Sequence, residues 1–365
     1  QHNELRVLLE NLYDFTDLNH FEFSAQIKAD GKVLKTIAIP TISVETHTGK
    51  LIRISLNDID YKENTEYFVL ISAKTKKDWG LLPKGYEVAH EQIPLLNKYK
   101  KVNTTIEKTG TLKINETDKN SAISNSTVQL LFDKVKGQLT SYVFEGNELL
   151  KDGNGPKPNF WRAQTDNEFG NHMQAKKIEW KKASLFMKVS KLKSQTNKDG
   201  SVTINVTYNL PGVETTFESK YQIFANGVVK IDNILNETTY AGDIPRVGMR
   251  MQLQKKYDNM TYFGRGPWEN YQDRKAAAFL DLYESKVKDQ YVPYVRPQEN
   301  GYKTDVRWAA FSDANNSGLL VVSDNLKGLG IGALHMPNED FDTTEGLIYN
   351  KNETLDDTYK IDGIP

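Results

Sequence analysis

Apolar and polar residues alternate along several short segments of the chain, and this alternation limits the fold more than any other feature. In the segment VTINVTY, residues 202–208, the apolar side chains fall on one face of an extended strand and the polar ones on the other. A second such segment, residues 228–234, follows Asn226-Gly227, a dipeptide that favours a hairpin turn. Only residues 175–185, which are weakly patterned, suggest a helix. The sequence therefore predicts a nearly all-β chain.

The strand-like segments fall into two groups, which predicts two domains. Residues 1–98 contain six or seven of them, the number and spacing of an immunoglobulin-like β-sandwich. Residues 98–101 interrupt the pattern, and a new series begins near Val102. Residues 99–365 show no second linker, so we expect one large antiparallel sandwich there, because stacked sheets bury both inner faces.

Composition excludes several classes of function. The 365 residues carry 47 Lys and Arg against 48 Asp and Glu, a balance that argues against a nucleic-acid partner. The absence of cysteine removes disulfides, thiolate metal sites and cysteine nucleophiles. No run of ~18 apolar residues exists, so no membrane-spanning helix is expected. The six histidines lack the spacing of metal ligands, and no metal site is predicted.

Common enzyme motifs are also missing from the sequence. There is no Gly-x-Ser-x-Gly, no His-Glu-x-x-His and no glycine-rich phosphate loop before a helix. Residues 328–332 are rich in glycine, but Ala333 occupies the third glycine position of a dinucleotide-binding fingerprint. A β segment with close backbone packing is the favoured interpretation of this stretch.

Three segments, residues 158–170, 263–274 and 291–301, are dense in Arg, carboxylate, amide and aromatic side chains. Such side chains could line a sugar site, since aromatic faces stack on sugar C–H surfaces and polar groups satisfy hydroxyls. Alternatively, they form a buried polar network in which Arg–carboxylate pairs hold long loops, and for any single residue we favour this interpretation. The candidates for these structural polar clusters are Arg162, Arg265, Trp268, Glu269, Asn270, Asp273, Arg274, Arg296, Glu299 and Asn300.

In this order the three segments resemble the C-terminal domain of family-two glycoside hydrolases of the β-galactosidase type. The similar motifs are Arg-Ala-x-x-Asp-Asn from Arg162, Gly-x-Gly-Pro-x-Glu-Asn-Tyr-x-Asp-Arg from Gly264, and Pro-Tyr-Val-x-Pro-x-Glu-Asn-Gly from Pro293. Residues 11–18 and 82–89 look like the immunoglobulin-like domain that precedes it in that family. The resemblance implies that residues 99–365 form a galactose-mutarotase-like β-supersandwich.

The resemblance also carries an expectation about activity. In that family a retaining enzyme hydrolyses terminal β-D-galactosides with two Glu on a TIM barrel that lies before both domains. This sequence has no βα-repeat pattern, so no catalytic residue is assigned and the chain alone is expected to be inactive. Its role would be to support and flank the active site of the absent barrel. It is also expected to be truncated at its end, with residues 339–357 as a loose acidic tail.

One loop lies beside the sugar pocket in the family that the chain resembles. It corresponds to residues 166–173, and its substrate-adjacent candidates are Asp166, Asn167, Gly170 and His172. Because glycine has no Cβ, we expect Gly170 to act as a hinge with positive φ, while Asp166 and Asn167 cap backbone N–H groups. In the second segment, Arg274 is expected to be buried and paired with an acid.

Other functions stay open. A stand-alone carbohydrate-binding or adhesion module is one, and a sugar mutarotase or epimerase is another, for which only His172 and His335 are suitably placed. We expect no cofactor in this chain, whereas the parent enzyme could hold Mg²⁺, Ca²⁺ or Na⁺. A β-galactoside and the upstream barrel are the expected partners, and a homo-oligomer is left open. A periplasmic location is slightly favoured over a cytoplasmic one.

Overall fold

The computed structural model describes residues 4–95, 110–240, 242–324 and 328–342. It is 47% strand and 9% helical, with all strand pairs antiparallel, which confirms the all-β prediction. The predicted domain boundary near residue 98 lies outside the described residues, so the limits of the two domains remain a prediction. Among the described residues, no helix is long and apolar enough to cross a membrane.

The first sandwich, residues 4–95, packs a two-stranded sheet against a four-stranded one. The strand orders are β1-β4 and β3-β2-β5-β6. Phe21, Ile27, Ile54 and Val69 are among the buried side chains of the core between the sheets. The six strands are β1 Glu4–Glu10, β2 Phe21–Ala29, β3 Lys32–Ile39, β4 Gly49–Ser55, β5 Tyr67–Thr75 and β6 Glu87–Pro94.

The large domain, residues 110–342, begins with a five-stranded sheet in the order β11-β10-β9-β8-β7. Its strands are β7 Lys113–Glu116, β8 Asn120–Ser124, β9 Val128–Asp133, β10 Gln138–Phe144 and β11 Asn147–Glu148. A short strand and three helices follow: β12 Lys157–Asn159, α1 Asp166–Gly170, α2 Met173–Lys176 and α3 Ile178–Phe186. The helix expected over residues 175–185 thus corresponds to the end of α2 and most of α3.

A second sheet lies against the first one across a single core. It contains β13 Lys188–Thr196, β14 Val202–Leu210, β15 Thr215–Ile223 and β16 Val229–Leu235, in that order. Phe132 from the first of these sheets, Phe217 and Tyr221 from the second and Trp180 from α3 are all at most 1% exposed and share this core. The alternating segments 202–208 and 228–234 are therefore strands, as predicted.

A third sheet and two short strand pairs complete the large domain. The third sheet has the order β19-β18-β21-β22, and the pairs are β12-β17 and β20-β23. The strands are β17 Gly248–Arg250, β18 Asn259–Gly266, β19 Phe279–Lys286, β20 Lys303–Val306, β21 Trp308–Ser312, β22 Gly318–Val322 and β23 Leu329–Ile331. The third sheet has its own core, so the domain contains more than the one pair of stacked sheets expected from sequence.

The glycine-rich stretch contains a strand, and the described part of the acidic stretch, residues 339–342, begins within a 3-10 helix. Residues 328–332 contain β23, and a Cβ on Gly330 would lie 1.6 Å from Tyr302 Oη, which agrees with a β segment that packs closely. The loose tail expected from residue 339 is wrong for its described part. Phe341 is 1% exposed, and Asp342 accepts a hydrogen bond from Trp161 Nε1 at 2.6 Å. Residues 343–357 lie outside the described residues.

Charged and apolar contacts join the first sandwich to the third sheet. Arg307 Nε and Nη2 donate to the two carboxylate oxygens of Glu66 at 2.7 and 2.8 Å. Lys28 pairs with Asp281 beside them. Phe68, Phe263 and Leu280 form a small buried cluster at the same interface. These contacts fix the orientation of the two units, because the ion pairs and the apolar cluster all lie on one interface.

Candidate functional site

The three segments that stood out in the sequence meet at one place in the large domain. Gln298 Nε2 donates to Asp166 Oδ2 at 3.2 Å, which joins the third segment to the first. The carboxylate of Glu269 accepts from Gly301 N at 2.8 Å and from the Tyr294 hydroxyl, which joins the third segment to the second. We call the side chains of the three segments, together with the side chains that they contact, the polar network. The third segment lies in its middle.

The first segment is organised by a paired Arg and Glu. Arg162 donates to both oxygens of Glu168 at 2.6 and 2.5 Å, and Glu168 also accepts from Thr165 N at 3.1 Å. Burial by itself would raise the pKa of the Glu168 carboxyl, but the Arg162 guanidinium and the Thr165 donors outweigh it and hold the pKa below its usual value. Glu168 is therefore ionised at neutral pH and serves to hold α1.

The segment expected to be a hinged loop is instead helix α1 and the turn after it. Thr165 and Glu168 cap the helix, not Asp166 and Asn167, since Thr165 N and Oγ1 both lie within 3.2 Å of Glu168 Oε2. Gly170 is the last residue of α1, and the expectation that it has positive φ is wrong. The left-handed residue of this segment is His172, with φ 56°.

The second segment contains a buried acid with an exposed cation. Glu269 is 7% exposed at its side chain, whereas Arg274, which pairs with it, is 60% exposed. The expectation of a buried Arg274 is therefore wrong, although its acidic partner is present. Glu269 does not depend on Arg274, because Gly301 N and the Tyr294 hydroxyl also donate to it. Trp268 is 73% exposed, and Asp273 is exposed as well.

Two buried asparagines hold the loops in place through backbone groups. Asn270 is 1% exposed; its Nδ2 donates to Arg265 O and Trp268 O, and its Oδ1 accepts from Thr304 N. Asn300 is 4% exposed, donates to Gln298 O at 2.9 Å and accepts from Val292 N. Side-chain amides can satisfy buried backbone groups in this way, so these loops keep one conformation.

The remaining candidates make ion pairs and a cation–π contact. Arg265 Nε lies 2.6 Å from Asp305 Oδ2, and Glu299 pairs with Arg246. The guanidinium of Arg296 lies 3.3 Å from the centroid of the Phe169 ring, so the third segment covers helix α1. Each of these contacts links elements that are far apart in sequence.

Two family models match the chain, one in each of its predicted domains. The family model described as the β-galactosidase small chain matches residues 124–361, and the model of β-galactosidase domain 4 matches residues 7–96. The chain belongs to the β-galactosidase family. The polar network, at residues 162–305, lies within the small-chain match.

Individual β-galactosidases support the same assignment. The chain is 34% identical over 314 residues to that of Priestia megaterium, which covers 86% of this chain and 30% of the relative. It is 26% identical over 338 residues to that of Streptococcus thermophilus, covering 92% and 32%. For Kluyveromyces lactis the identity is 29% over 312 residues, covering 83% and 28%. The chain thus spans about 30% of the length of these curated relatives.

Several residues of this β-galactosidase network could not be singled out from the sequence. Arg246 lies outside the three segments, yet it pairs with Glu299 and its guanidinium lies 5.2 Å from the Tyr302 ring centroid. Tyr302 in turn stacks on Tyr271 with ring centroids 5.6 Å apart. Lys303 is 2% exposed and donates to Gly301 O at 3.2 Å, and burial lowers its pKa to about 8. No sequence motif marks a lysine as buried.

Five side chains in or next to the network are exposed to solvent, and we call this set the network face. It carries Trp268, Val295, Asp166, Asn167 and His172, all of them exposed. Asp166 accepts a hydrogen bond from Gln298. Trp268 precedes Glu269 in the sequence and Val295 follows Tyr294, and Glu269 and Tyr294 are hydrogen-bonded to each other. Within the described residues, no group of three or more His, Asp or Glu is arranged to hold a metal ion.

Proposed function

We propose that this chain is the non-catalytic C-terminal part of a retaining β-galactosidase that hydrolyses terminal β-D-galactosides. In this proposal the large domain supports and flanks the active site of a TIM-barrel domain in the same polypeptide, and the network face is the side that borders the sugar. The observation that carries the proposal is that the Arg162–Glu168 ion pair and the Gln298–Asp166 hydrogen bond hold the exposed segment 166–172 within the region that matches the β-galactosidase small chain.

The chemistry of the network supports a non-catalytic role. Retaining hydrolysis uses one carboxylate as nucleophile and a second carboxyl, with a raised pKa, as general acid. Here Glu168, Glu269 and Glu299 are each paired with an arginine. The pKa of Glu168 is lowered rather than raised, which disfavours general-acid catalysis. These carboxylates therefore serve to hold loops.

The network face suits a flanking role because its groups are both polar and rigidly mounted. Asp166 and Asn167 begin helix α1, whose position is set by the Arg162–Glu168 pair and by Arg296 over Phe169. Side chains mounted on such a fixed element can hydrogen-bond sugar hydroxyls without a large loss of conformational entropy. The same exposed Trp268 would also suit a stand-alone carbohydrate-binding module, which is the second candidate function.

The first experiment distinguishes the two candidate functions and uses this chain alone. The purified chain, expressed in a host without its own β-galactosidase gene, should not cleave o-nitrophenyl β-D-galactoside above the uncatalysed rate. Titration with lactose should leave its tryptophan fluorescence unchanged. Turnover proportional to the chain concentration would refute the non-catalytic role, and saturable binding of lactose by the chain alone would favour the binding module.

The second experiment tests the flanking role in the complete polypeptide that carries this chain. Asn167→Ala and His172→Ala should each raise KM or lower kcat for the galactoside several-fold. Asn205→Ala, at an exposed position of β14 on the second sheet, is the matched control and should leave both constants unchanged. Wild-type kinetics in both network-face variants would refute the flanking role.

A further inference from the structure

Three large apolar side chains are almost fully exposed at one end of the first sandwich. Leu12 is 82% exposed, Phe15 98% and Leu81 101%. Leu12 and Phe15 lie on the loop after β1, and Leu81 lies on the loop between β5 and β6. The two loops are neighbours, because the Tyr13 and Trp79 rings pack edge to face with their centroids 5.7 Å apart. We call Leu12, Phe15 and Leu81 the loop patch.

The first of the two loops is held in one conformation by a buried side chain. Asn11 is 1% exposed, and its Nδ2 donates to Thr16 O and Val44 O, both at 2.8 Å. Its Oδ1 accepts from Tyr13 N at 3.0 Å. The loop therefore cannot fold back to bury Leu12 and Phe15 without breaking these buried hydrogen bonds.

The second loop is fixed in a similar way. Trp79 and Leu82 exchange backbone hydrogen bonds of 2.8 and 3.0 Å, so Leu81 is at the tip of a closed turn. Trp79 itself packs on Phe21 of the sandwich core, with ring centroids 5.3 Å apart. Loops that are already ordered lose little conformational entropy on binding, which makes an exposed apolar patch on them a good contact surface.

One charged pair lies next to the patch. Asp14 lies between Leu12 and Phe15 in sequence, and its carboxylate is 2.9 Å from His47 Nε2; both side chains are more than 60% exposed. A protein–protein contact usually combines large apolar side chains with polar groups of this kind. The patch is thus suited to an apolar protein surface rather than to a charged ligand.

The size of the patch indicates which occupant fits it. Three large side chains bury at most roughly 600 Å², whereas a stable contact between separate proteins needs about 800 Å² on each partner. A contact within one polypeptide needs less, since the covalent connection supplies an effective concentration in the millimolar range. The relatives extend well beyond this chain, which spans about 30% of their length.

We infer that the loop patch packs against an apolar surface elsewhere in the same β-galactosidase polypeptide. The loop patch lies on the first sandwich and is separate from the network face on the large domain. The inference rests on the proposed function in one respect, that the chain is part of a longer polypeptide. It does not depend on whether the network face borders the sugar.

The test uses the absence of cysteine from this chain. Phe15→Cys and, in a separate variant, Leu81→Cys each introduce one thiol at the patch. Each variant is made both in this chain alone and in the complete polypeptide, and both forms are labelled with a maleimide under native conditions. Mass spectrometry of the peptide that contains the new thiol gives its labelling rate. Val135→Cys, at a 68% exposed position between β9 and β10, is the matched control.

We expect both patch thiols to react about 10-fold or more slowly in the complete polypeptide than in the chain alone, since labelling then requires local opening. The control thiol should react at the same rate in both forms. Equal rates at the patch in both forms would overturn the inference, whatever the kinetics of the network-face variants. Protection in the chain alone that increases with its concentration would also overturn it, because a second copy would then cover the patch.

Discussion

Replacing Lys303 with methionine should stabilise the protein at neutral pH. The Lys303 side chain is 2% exposed, and burial lowers its pKa from 10.5 to about 8, although Glu269 acts in the opposite direction. One pKa unit corresponds to about 1.4 kcal/mol, so keeping this ammonium charged inside the fold costs about 3 kcal/mol at pH values well below 8. Methionine has a similar length and no charge, and it removes that cost.

The variant also loses one favourable contact. Lys303 Nζ donates to Gly301 O at 3.2 Å, and a hydrogen bond from a charged donor contributes about 1.5–3 kcal/mol. The distance is long, which places the contribution near the lower end of that range. We therefore expect Lys303→Met to raise the free energy of unfolding at pH 7 by about 1–2 kcal/mol.

The pH dependence distinguishes this explanation from better packing. Between the folded pKa of about 8 and the unfolded value of 10.5, the unfolded state binds more protons than the folded state. Stability of the wild type therefore rises with pH in that window, and by pH 9.5 it recovers about 2 kcal/mol of the cost. The methionine variant has no such group, so its advantage at pH 7 should disappear or reverse by pH 9.5.

The assay is urea unfolding of both proteins at pH 7.0 and 9.5, where most tyrosines of the unfolded chain are still protonated. Lys191→Met, at an exposed position of β13, is the control and should change stability by less than about 0.5 kcal/mol at either pH. The reasoning is refuted if Lys303→Met is less stable than the wild type at pH 7 by an amount that does not change with pH. Lys303 would then be a well-compensated cation.

Three further substitutions test other parts of the structure. Gly170→Ala should leave the midpoint of thermal unfolding unchanged or slightly raised, because a Cβ there meets no atom within 4 Å and alanine favours a helix over glycine by about 1 kcal/mol. A clear loss of stability would contradict the helical assignment. Arg307→Met should lower the free energy of unfolding, measured with urea, by about 3–5 kcal/mol, because Glu66 is left buried and unpaired. The double variant with Glu66→Met should recover most of that loss. Arg274→Ala should cost no more than about 1 kcal/mol, since its side chain is 60% exposed and Glu269 keeps two other donors; a larger shift of the urea midpoint would contradict this.

The strands could be predicted from sequence because side-chain alternation depends only on the backbone. In β14 the apolar residues Val202, Ile204, Val206 and Tyr208 face one core and are each at most 1% exposed, as their period of two requires. The number of sheets in the large domain could not be obtained in this way. Alternation assigns a side to each strand, but it does not say which strands share a core.

The site was located only in part, for a related reason. Three dense segments could be recognised, yet their contacts depend on tertiary structure, and Arg246 and Lys303 had no local signal at all. The error at residues 166–170 has a specific cause. Asp166, Asn167 and Gly170 are residue types that favour turns, whereas Thr165 and Glu168 form a capping arrangement that starts a helix. That pattern was present in the sequence.

The contact between the first sandwich and the third sheet has a consequence for solubility. Strand β19 is at the edge of its sheet, where unpaired backbone groups could recruit a strand from another molecule. Gln92 bonds to both backbone groups of Leu280, donating to its O at 2.8 Å and accepting from its N at 2.9 Å. Two residues further along, Gly31 approaches so closely that a Cβ there would lie 2.5 Å from Leu282 N. The first sandwich thus shields this edge from strand addition, and without it the large domain would carry an open template for aggregation.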